Sequence, residues 1–136
     1  MKRRVQYYET DMMGITHHSN YIRWMEEARI DFLDQLGFPY KKMEENGVVS
    51  PVKSIRADYL KPCSFGDEVE ITVSVGEFNG VVLTIGYTMR VNNEAVFSGT
   101  SEHVFLNRDG RIVRMRKVMP AFCAAIEEQI SKKPEP

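Results

Sequence analysis

The 136-residue sequence predicts an α+β domain in which one long helix lies against a curved antiparallel sheet. Three observations predict this class. One stretch carries apolar residues at helical spacing, later stretches alternate apolar and polar residues, and the helix precedes all the clear strands. A parallel α/β plan would instead place a helix after each strand. With 43% hydrophobic residues, a chain of this length can form one core without disulfides.

The chain is predicted to begin with a short strand followed by a loop. Residues 4–8 are rich in valine and tyrosine, which favour strands. Residues 9–16 then contain Gly14 and charged side chains, a composition typical of loops. Because this loop directly precedes the long helix, it brings polar side chains to the helix start.

A long amphipathic helix is predicted from residue 20 to residue 36. Ser19 or Asn20 is expected to cap its first turn, because such side-chain oxygens accept hydrogen bonds from free backbone amides. Gly37 and Pro39 end it, since glycine adopts the left-handed cap and proline cannot continue a helix. The apolar stripe of this helix consists of Tyr21, Trp24, Met25, Ala28, Phe32, Leu33 and Leu36.

The rest of the chain is predicted to be mostly β, after a short helical turn at residues 40–46. Residues 48–60 form a strand, and Pro51 favours an edge position because proline cannot donate to a ladder. Residues 68–75 alternate valine or isoleucine with polar residues, which indicates a sheet with one solvated face. Residues 81–91 and 94–106 form a hairpin through the turn at Asn92 and Asn93.

The C-terminal part is predicted to contain small elements only. A turn at residues 107–110 leads to a short strand at residues 111–114, and a helix follows Pro120. Residues 1–130 are therefore assigned to a single domain, and residues 131–136 to a flexible C-terminal tail.

The charge and the cysteines exclude several classes of partner. The net charge of -1, from 18 basic and 19 acidic residues, gives no general attraction to nucleic acids or anionic membranes. No stretch has the length of a membrane span, so membrane insertion is not expected either. Cys63 and Cys123 follow no metal or redox spacing, which predicts reduced thiols and a cytoplasmic location.

The predicted architecture also favours self-association. One helix covers only one face of the sheet, and the opposite face, with its own apolar residues, is expected to need a partner. We therefore expect a homodimer or a homotetramer.

Two segments carry the clearest chemical content. The first reads DMMGITHHSNY at residues 11–21, and the second reads YLKP at residues 59–62, followed by Gly66 and Asp67. Both resemble the 4-hydroxybenzoyl-CoA thioesterase family, whose members have the hot-dog fold, a long central helix wrapped by a curved antiparallel sheet. The resemblance extends to about residue 114, and its nearest branch is the acyl-CoA thioesterase that accompanies the Tol-Pal system.

This resemblance implies an enzyme that hydrolyses an acyl thioester, with an acyl-CoA as substrate. Asp11 occupies the position of the family's catalytic carboxylate. His18 occupies the position whose backbone amide, at the helix start, receives the thioester oxygen, and a histidine occurs there in the Tol-Pal branch. His17 stands where many relatives carry an aromatic residue, often tyrosine, so the wall of the acyl pocket is expected to differ.

The residues themselves support these roles on chemical grounds. A helix N-terminus offers unpaired amides and a favourable dipole for the oxygen that becomes negative. A carboxylate on the preceding loop, Asp11, can fold back towards the same carbonyl group. Free aspartate has a pKa of about 3.9, so it acts either as a base after burial or as a direct nucleophile. The sequence leaves this choice open, and the His18 imidazole could also orient water.

Further contacts to the substrate are expected in the same segments. Lys61 is preferred for a CoA phosphate over Lys53, Arg56 and Arg90, because it ends a strand beside Pro62. Adjacent histidines cannot share one helix face, so no metal site is expected, and no cofactor is expected apart from the CoA of the substrate. The expected substrate-binding residues are Gly14, His17, Asn20, Tyr21 and Lys61.

Simpler interpretations remain for each of these residues. An aspartate before a helix often only forms a turn, Tyr21 fits the core, and Asn20 could be a cap. The fold also serves other functions, because a fold does not determine a reaction. The alternatives are an acyl-carrier-protein thioesterase, a hot-dog dehydratase that releases no thiol, and a non-catalytic protein that binds acyl thioesters without turnover.

Overall fold

The computed structural model describes residues 1–132. The chain enters a short strand, makes a 3-10 turn at Tyr7–Glu9, and continues into the long helix, the sheet and the C-terminal helices. The elements are β1 (Lys2–Arg4), α1 (His18–Leu36), α2 (Tyr40–Glu45), β2 (Val52–Tyr59), β3 (Glu68–Phe78), β4 (Val82–Val91), β5 (Glu94–Val104), α3 (Met115–Val118) and α4 (Pro120–Ser131).

The five strands form one antiparallel sheet in the order β1-β3-β4-β5-β2. The central hairpin turns at Asn92 and Asn93, which both have positive φ, 51° and 65°, as the mirror-image hairpin turns require. This confirms the predicted hairpin. β2 forms one edge of the sheet, as the position of Pro51 just before it predicts.

The core lies between α1 and the inner face of the sheet. The buried stripe of α1, including Trp24 and Met25, faces the inward side chains of β3, β4 and β5. The inward positions alternate along each strand, as the period of two demands. Together these residues bury the apolar surface that drives folding. The buried inward residues of the central strands include Val69, Ile71, Val75, Leu83, Ile85, Tyr87, Met89, Phe97, Ser101 and His103.

The outer face of the sheet differs from the prediction, because it is polar rather than apolar. Its central positions are small and hydrophilic, for example Ser74, Gly86 and Thr100, which are neighbours across β3, β4 and β5. Such a face can remain in water without a covering layer. The expectation that this face carries apolar residues was therefore wrong.

The ends of α1 show how local sequence sets its length. Gly37 has φ of 93°, and the amides of Gly37 and Phe38 donate to the carbonyl oxygens of Asp34 and Leu33 at 3.1 and 2.9 Å. This left-handed cap confirms the predicted end of the helix. The helix begins two residues earlier than predicted, at His18.

The opening strand lies earlier than predicted, and a second predicted strand is absent from residues 1–132. Residues 4–8 contain only the end of β1, and the chain then turns into the 3-10 segment because the Glu9 carboxylate accepts from the Gln6 amide at 2.8 Å. Residues 111–114 make a single bridge, between Ile112 and Leu106, before α3 begins. α4 confirms the helix expected after Pro120.

A buried polar network crosses the core below α1. The Arg29 guanidinium donates to the hydroxyls of Tyr40, at 2.9 Å, and Tyr87, at 3.3 Å. Tyr87, Ser101 and His103 continue the chain at 2.7 and 2.6 Å. Burial, and then the Arg29 charge, lower the pKa of His103 to about 4, so this imidazole is neutral at pH 7.

The C-terminal boundary follows α4, which extends to Ser131. Of the tail expected at residues 131–136, residues 133–136 lie outside the described residues. None of the helices within residues 1–132 combines the length and the apolar composition needed to cross a membrane.

Candidate active site

A cleft of about 350 Å³ lies where the loop before α1, the first turn of α1 and the end of β2 meet. Most of its surface is apolar, and the polar groups come from the two segments singled out in the sequence. A volume of this size suits part of a small organic ligand. The residues that line it are Asp11, Met13, Ile15, Thr16, His18, Tyr21, Tyr59, Leu60, Lys61 and Pro62.

The loop that carries Asp11 is held by its own backbone. The Gly14 amide donates to the Asp11 carbonyl at 3.0 Å, and the Asp11 amide donates to the Ile15 carbonyl at 2.9 Å. Gly14 has φ of 77°, a conformation that favours glycine because it has no Cβ. Thr10 and Thr16 form a β-bridge that closes the loop.

This loop geometry fixes one oxygen of the Asp11 carboxylate. The Met13 amide donates to Asp11 Oδ1 at 2.8 Å, which is an Asx-type turn. Oδ2 receives no hydrogen bond from residues 1–132, and the side chain is partly exposed at the cleft. The carboxylate is thus oriented by the backbone, with one oxygen available to a ligand or to water.

The start of α1 provides an available amide. His17 is the N-cap, and its Nδ1 accepts from the Ser19 amide at 3.2 Å and contacts Ser19 Oγ at 2.8 Å. Within residues 1–132 nothing accepts the hydrogen of the His18 amide, as expected for the first residue of a helix. The expected caps, Ser19 and Asn20, were wrong. Asn20 is buried instead, and its Nδ2 donates to the Glu9 carbonyl at 2.8 Å.

Tyr21 forms the closed back of the cleft. Only 3% of its surface is exposed, its ring stacks on Phe97 with 5.2 Å between centroids, and its hydroxyl lies 3.2 Å from Cys63 Sγ. Burial, with the hydrogen bond to Cys63, raises the pKa of Tyr21, so its hydroxyl remains neutral. Thr16 also bonds Cys63, through its amide and its hydroxyl. These contacts give Cys63 a structural role behind the cleft.

The end of β2 forms the opposite rim. The Tyr59 hydroxyl donates to the His18 carbonyl at 3.1 Å, which fastens the rim to the helix start. Lys61 forms an ion pair with Glu94, and both side chains are exposed. Its ammonium therefore lies at the mouth of the cleft, where a surface pair adds little stability.

The structure thus brings together four of the seven sequence-predicted site residues. Asp11, His18, Tyr21 and Lys61 line the cleft, whereas Gly14, His17 and Asn20 do not line it and instead form the loop turn, the helix cap and a buried hydrogen bond.

Two further residues at this site were missed from the sequence. Tyr59 belongs to the YLKP segment, and its place directly before Leu60 and Lys61 was the available signal. Glu9 is buried behind the loop, where it accepts from Trp24 Nε1 at 2.9 Å. The available signal was a buried tryptophan, whose N–H needs an acceptor.

Residues 1–132 contain no group of three or more His, Cys, Asp or Glu side chains placed to hold a metal ion. His17 and His18 stack with centroids 4.2 Å apart at the helix start. His103 lies in the buried network of the core.

A single long helix against a five-stranded antiparallel sheet, with a cleft at the helix start, defines a hot-dog domain. A family model described as the thioesterase-like superfamily matches residues 5–130. The chain therefore belongs to the thioesterase-like superfamily, and the predicted hot-dog fold is confirmed.

Individual relatives agree with this assignment. The chain is 35% identical over 126 residues to a Bacillus subtilis protein named "Putative acyl-CoA thioesterase YneP", with 91% of each chain covered. It is 34% identical over 86 residues to the acyl-CoA thioesterase YbgC of Helicobacter pylori, with 62% of each covered. A crystal structure of the DHNA-CoA thioesterase from Staphylococcus aureus superposes with a TM-score of 0.90 at 28% identity, covering 94% of this chain and 87% of that chain.

Proposed function

We propose that this protein is a thioester hydrolase that cleaves an acyl-CoA into a free acid and CoA. One observation carries the proposal: Asp11 and His18 line the same largely apolar cleft, and the His18 amide donates no hydrogen bond within residues 1–132. Membership in the thioesterase-like superfamily supports the reaction class. The residue roles are our assignment, with Asp11 as nucleophile or general base and the His18 amide as oxyanion donor.

The chemistry follows from these two groups. Attack on the thioester carbon moves negative charge onto the carbonyl oxygen, and the His18 N–H, with the positive end of the α1 dipole, stabilises that charge. Collapse of the tetrahedral intermediate expels the CoA thiolate, which takes up a proton. Asp11 either removes a proton from the attacking water, or attacks directly to give a mixed anhydride that water then hydrolyses.

The test is an assay of thiol release from a panel of short aliphatic and aromatic acyl-CoAs. We expect Asp11→Asn to lower kcat by about 100-fold or more, because general-base or nucleophilic catalysis contributes at least that much. Asp109→Asn is the matched control, since Asp109 is exposed on a turn distant in sequence from the cleft residues. Equal rates for Asp11→Asn and the native protein would refute the assignment.

A single turnover in ¹⁸O-labelled water tests whether Asp11 is the nucleophile. A general base delivers the label to the acid product, and so does an anhydride that is attacked at its acyl carbonyl. An anhydride that is attacked at its aspartyl carbonyl leaves the label in Asp11, where mass spectrometry of the peptide detects it.

Lys61 is proposed to contact a CoA phosphate at the mouth of the cleft. An ammonium group is a suitable point charge for a phosphate, and Glu94 is then its partner in the free protein. We expect Lys61→Met to raise KM with little change in kcat, because the contact is equal in the ground and transition states. Hydrolysis needs no further group, so EDTA should leave the rate unchanged.

We also propose that the protein is a homodimer that pairs β2 with its copy. β2 is an edge strand, and seven of its eight residues are exposed, including the apolar Val52, Ile55 and Tyr59. A long exposed edge of this kind pairs readily with another strand. Antiparallel pairing would place the start of the partner's β2 beside the cleft, at the end where Tyr59 lies.

The dimer is tested by light scattering after size-exclusion chromatography. Ile55→Lys should give a monomer, because an edge lysine opposes strand pairing. Val118→Lys, at an apolar residue with similar exposure on α3, is the control and should leave the mass unchanged. If the native protein is a monomer, or if the Ile55→Lys protein is still a dimer, the proposed interface is contradicted. A native tetramer would require a second interface in addition to this one.

The finer family branch and the compartment are also proposals. The DMMGITHHSNY segment and the similarity to YbgC support a place near the Tol-Pal-associated branch of the 4-hydroxybenzoyl-CoA thioesterase family. The two buried free cysteines, Cys63 and Cys123, suit a reducing compartment and hence the cytoplasm. Cell fractionation tests the location.

A further inference from the structure

Glu9 is the only carboxylate within residues 1–132 whose side chain is fully buried, with 3% of its surface exposed. Its Oε1 accepts from Arg3 Nη1 at 2.5 Å and from the Gln6 amide at 2.8 Å. Its Oε2 accepts from Trp24 Nε1 at 2.9 Å. The side chain thus joins β1, the 3-10 turn and the middle of α1.

The backbone of Glu9 reaches the start of the same helix. Its carbonyl oxygen accepts from the His17 amide at 2.8 Å and from Asn20 Nδ2 at 2.8 Å. His17 directly precedes the His18 amide, and Glu9 precedes Asp11 by two residues. One residue therefore connects the loop that carries the carboxylate to the helix turn that carries the oxyanion donor.

We propose that Glu9 is a positioning residue, which sets the distance between the Asp11 carboxylate and the His18 amide. This inference rests on the proposed thioesterase function. The two reacting groups belong to different elements, a loop and a helix. Small displacements between such groups reduce catalysis strongly, and about 1 Å can cost about 100-fold.

The negative charge of Glu9 is part of this arrangement. Burial alone would raise the pKa of Glu9, but the hydrogen bonds from Arg3, the Gln6 amide and Trp24 outweigh it and lower the pKa. Arg3 is itself held by Glu27 on α1, at 2.9 Å. In Glu9→Gln the side-chain amide would place its own N–H group against one of these donors. Because two donors cannot bond each other, the loop is expected to shift.

The first experiment compares Glu9→Gln with Glu27→Gln in the thiol-release assay. Glu27 shares Arg3 with Glu9 but is half exposed, and within residues 1–132 it forms no hydrogen bond to the loop. We expect Glu9→Gln to lower kcat about 10- to 100-fold with KM changed less than twofold, and Glu27→Gln to retain the native kcat. A folded Glu9→Gln protein with native kcat, or an equal loss in both variants, would overturn the proposal.

The second experiment places Glu9→Gln in an Asp11→Asn background. If Glu9 acts by positioning Asp11, the double variant should lose less than twofold beyond Asp11→Asn alone. A further loss of 10-fold or more would show a general structural effect and contradict the proposal. If Asp11→Asn itself keeps the native rate, the proposed function fails, and that outcome is distinct from a failure of the Glu9 role.

Asn20→Ser is the alternative if Glu9→Gln does not fold. It removes the amide that donates to the Glu9 carbonyl and leaves the buried carboxylate in place. The same signature is expected, a lower kcat at a nearly constant KM, and a native kcat in the folded variant would contradict the proposal.

Discussion

The two buried charges within residues 1–132, Glu9 and Arg29, are stabilised in opposite ways. Glu9 has an ion-pair partner, Arg3, and accepts from a backbone amide and an indole. Arg29 has no carboxylate partner within residues 1–132, and its guanidinium donates to the hydroxyls of Tyr40 and Tyr87. The Glu9 charge is thus stabilised partly by an opposite charge, whereas the Arg29 charge is stabilised by neutral hydroxyl dipoles.

This difference corresponds to location. Glu9 lies behind the loop of the cleft and is bonded to the residues that orient the cleft groups. Arg29 lies in the core, where its network leads to Ser101 and His103 and reaches no residue that lines the cleft. The comparison indicates that the paired charge serves the site, whereas the unpaired charge serves the packing of α1, α2 and the sheet.

The largest expected effect is on stability after removal of the Glu9 carboxylate. Glu9→Ala leaves Arg3 and Trp24 without their buried acceptor, and breaking a buried pair costs about 4 kcal/mol. Urea denaturation at pH 7, followed by circular dichroism, measures the change. A loss below about 1 kcal/mol would show that the buried pair contributes little, and Glu27→Gln is again the control.

The second-largest expected effect is a loss of stability in acid, which comes from His103 in the Arg29 network. His103 has a pKa of about 4 in the folded protein, against about 6.5 for free histidine, so between these values the unfolded chain binds the extra proton. The contribution of His103 to the free energy of unfolding should therefore fall by about 3 kcal/mol as the pH drops from 6.5 to 4. Below pH 4 this contribution should change little.

The control for this effect is His103→Gln, which keeps a side chain that can bond Ser101 but cannot titrate. Denaturation at several pH values should give a flatter profile for the variant between pH 6.5 and 4, because the carboxylates contribute to both proteins alike. Parallel profiles for the two proteins would contradict the neutral, buried histidine.

The smallest effect is expected at Arg29 itself. Arg29→Met removes an unpaired buried charge and keeps an unbranched side chain, so the free energy of unfolding should change by about 1 kcal/mol or less. The pKa of His103 should rise, because the Arg29 charge is one cause of its low value. An NMR titration that follows the imidazole resonances of His103 measures this shift. An unchanged pKa of His103, or an Arg29→Met protein that does not fold, would contradict the different roles assigned to Arg29 and Glu9.

Much of the fold is predictable because it depends on periodicity and turn residues. The helix stripe, the end of α1 at Gly37 and the hairpin at Asn92 and Asn93 are properties of neighbouring residues. The errors arise where distant residues compete. Asn20 would suit a cap, but its amide is used by the Glu9 carbonyl, and His17 takes the cap position instead.

The candidate site also divides into features that neighbouring residues determine, which were predicted, and features that distant residues determine, which were missed. Asp11 and His18 were predicted together because the one segment that holds both resembles a known family, and Lys61 because it is expected to end a strand beside Pro62. Glu9 was missed, since its importance comes from burial by Arg3 and Trp24, which belong to other elements. The polar outer face was also missed, because the strands' register decides which residues share that face.

Tyr59 belongs to two surfaces at once, since it is the last residue of the exposed edge strand and also lines the cleft. Occupation of the cleft and association of two copies through that edge would then be thermodynamically linked, and the linkage is reciprocal. A ligand that binds the dimer more tightly than the monomer would stabilise the dimer by mass action, and dilution below the dimer dissociation constant would then weaken the apparent affinity for that ligand.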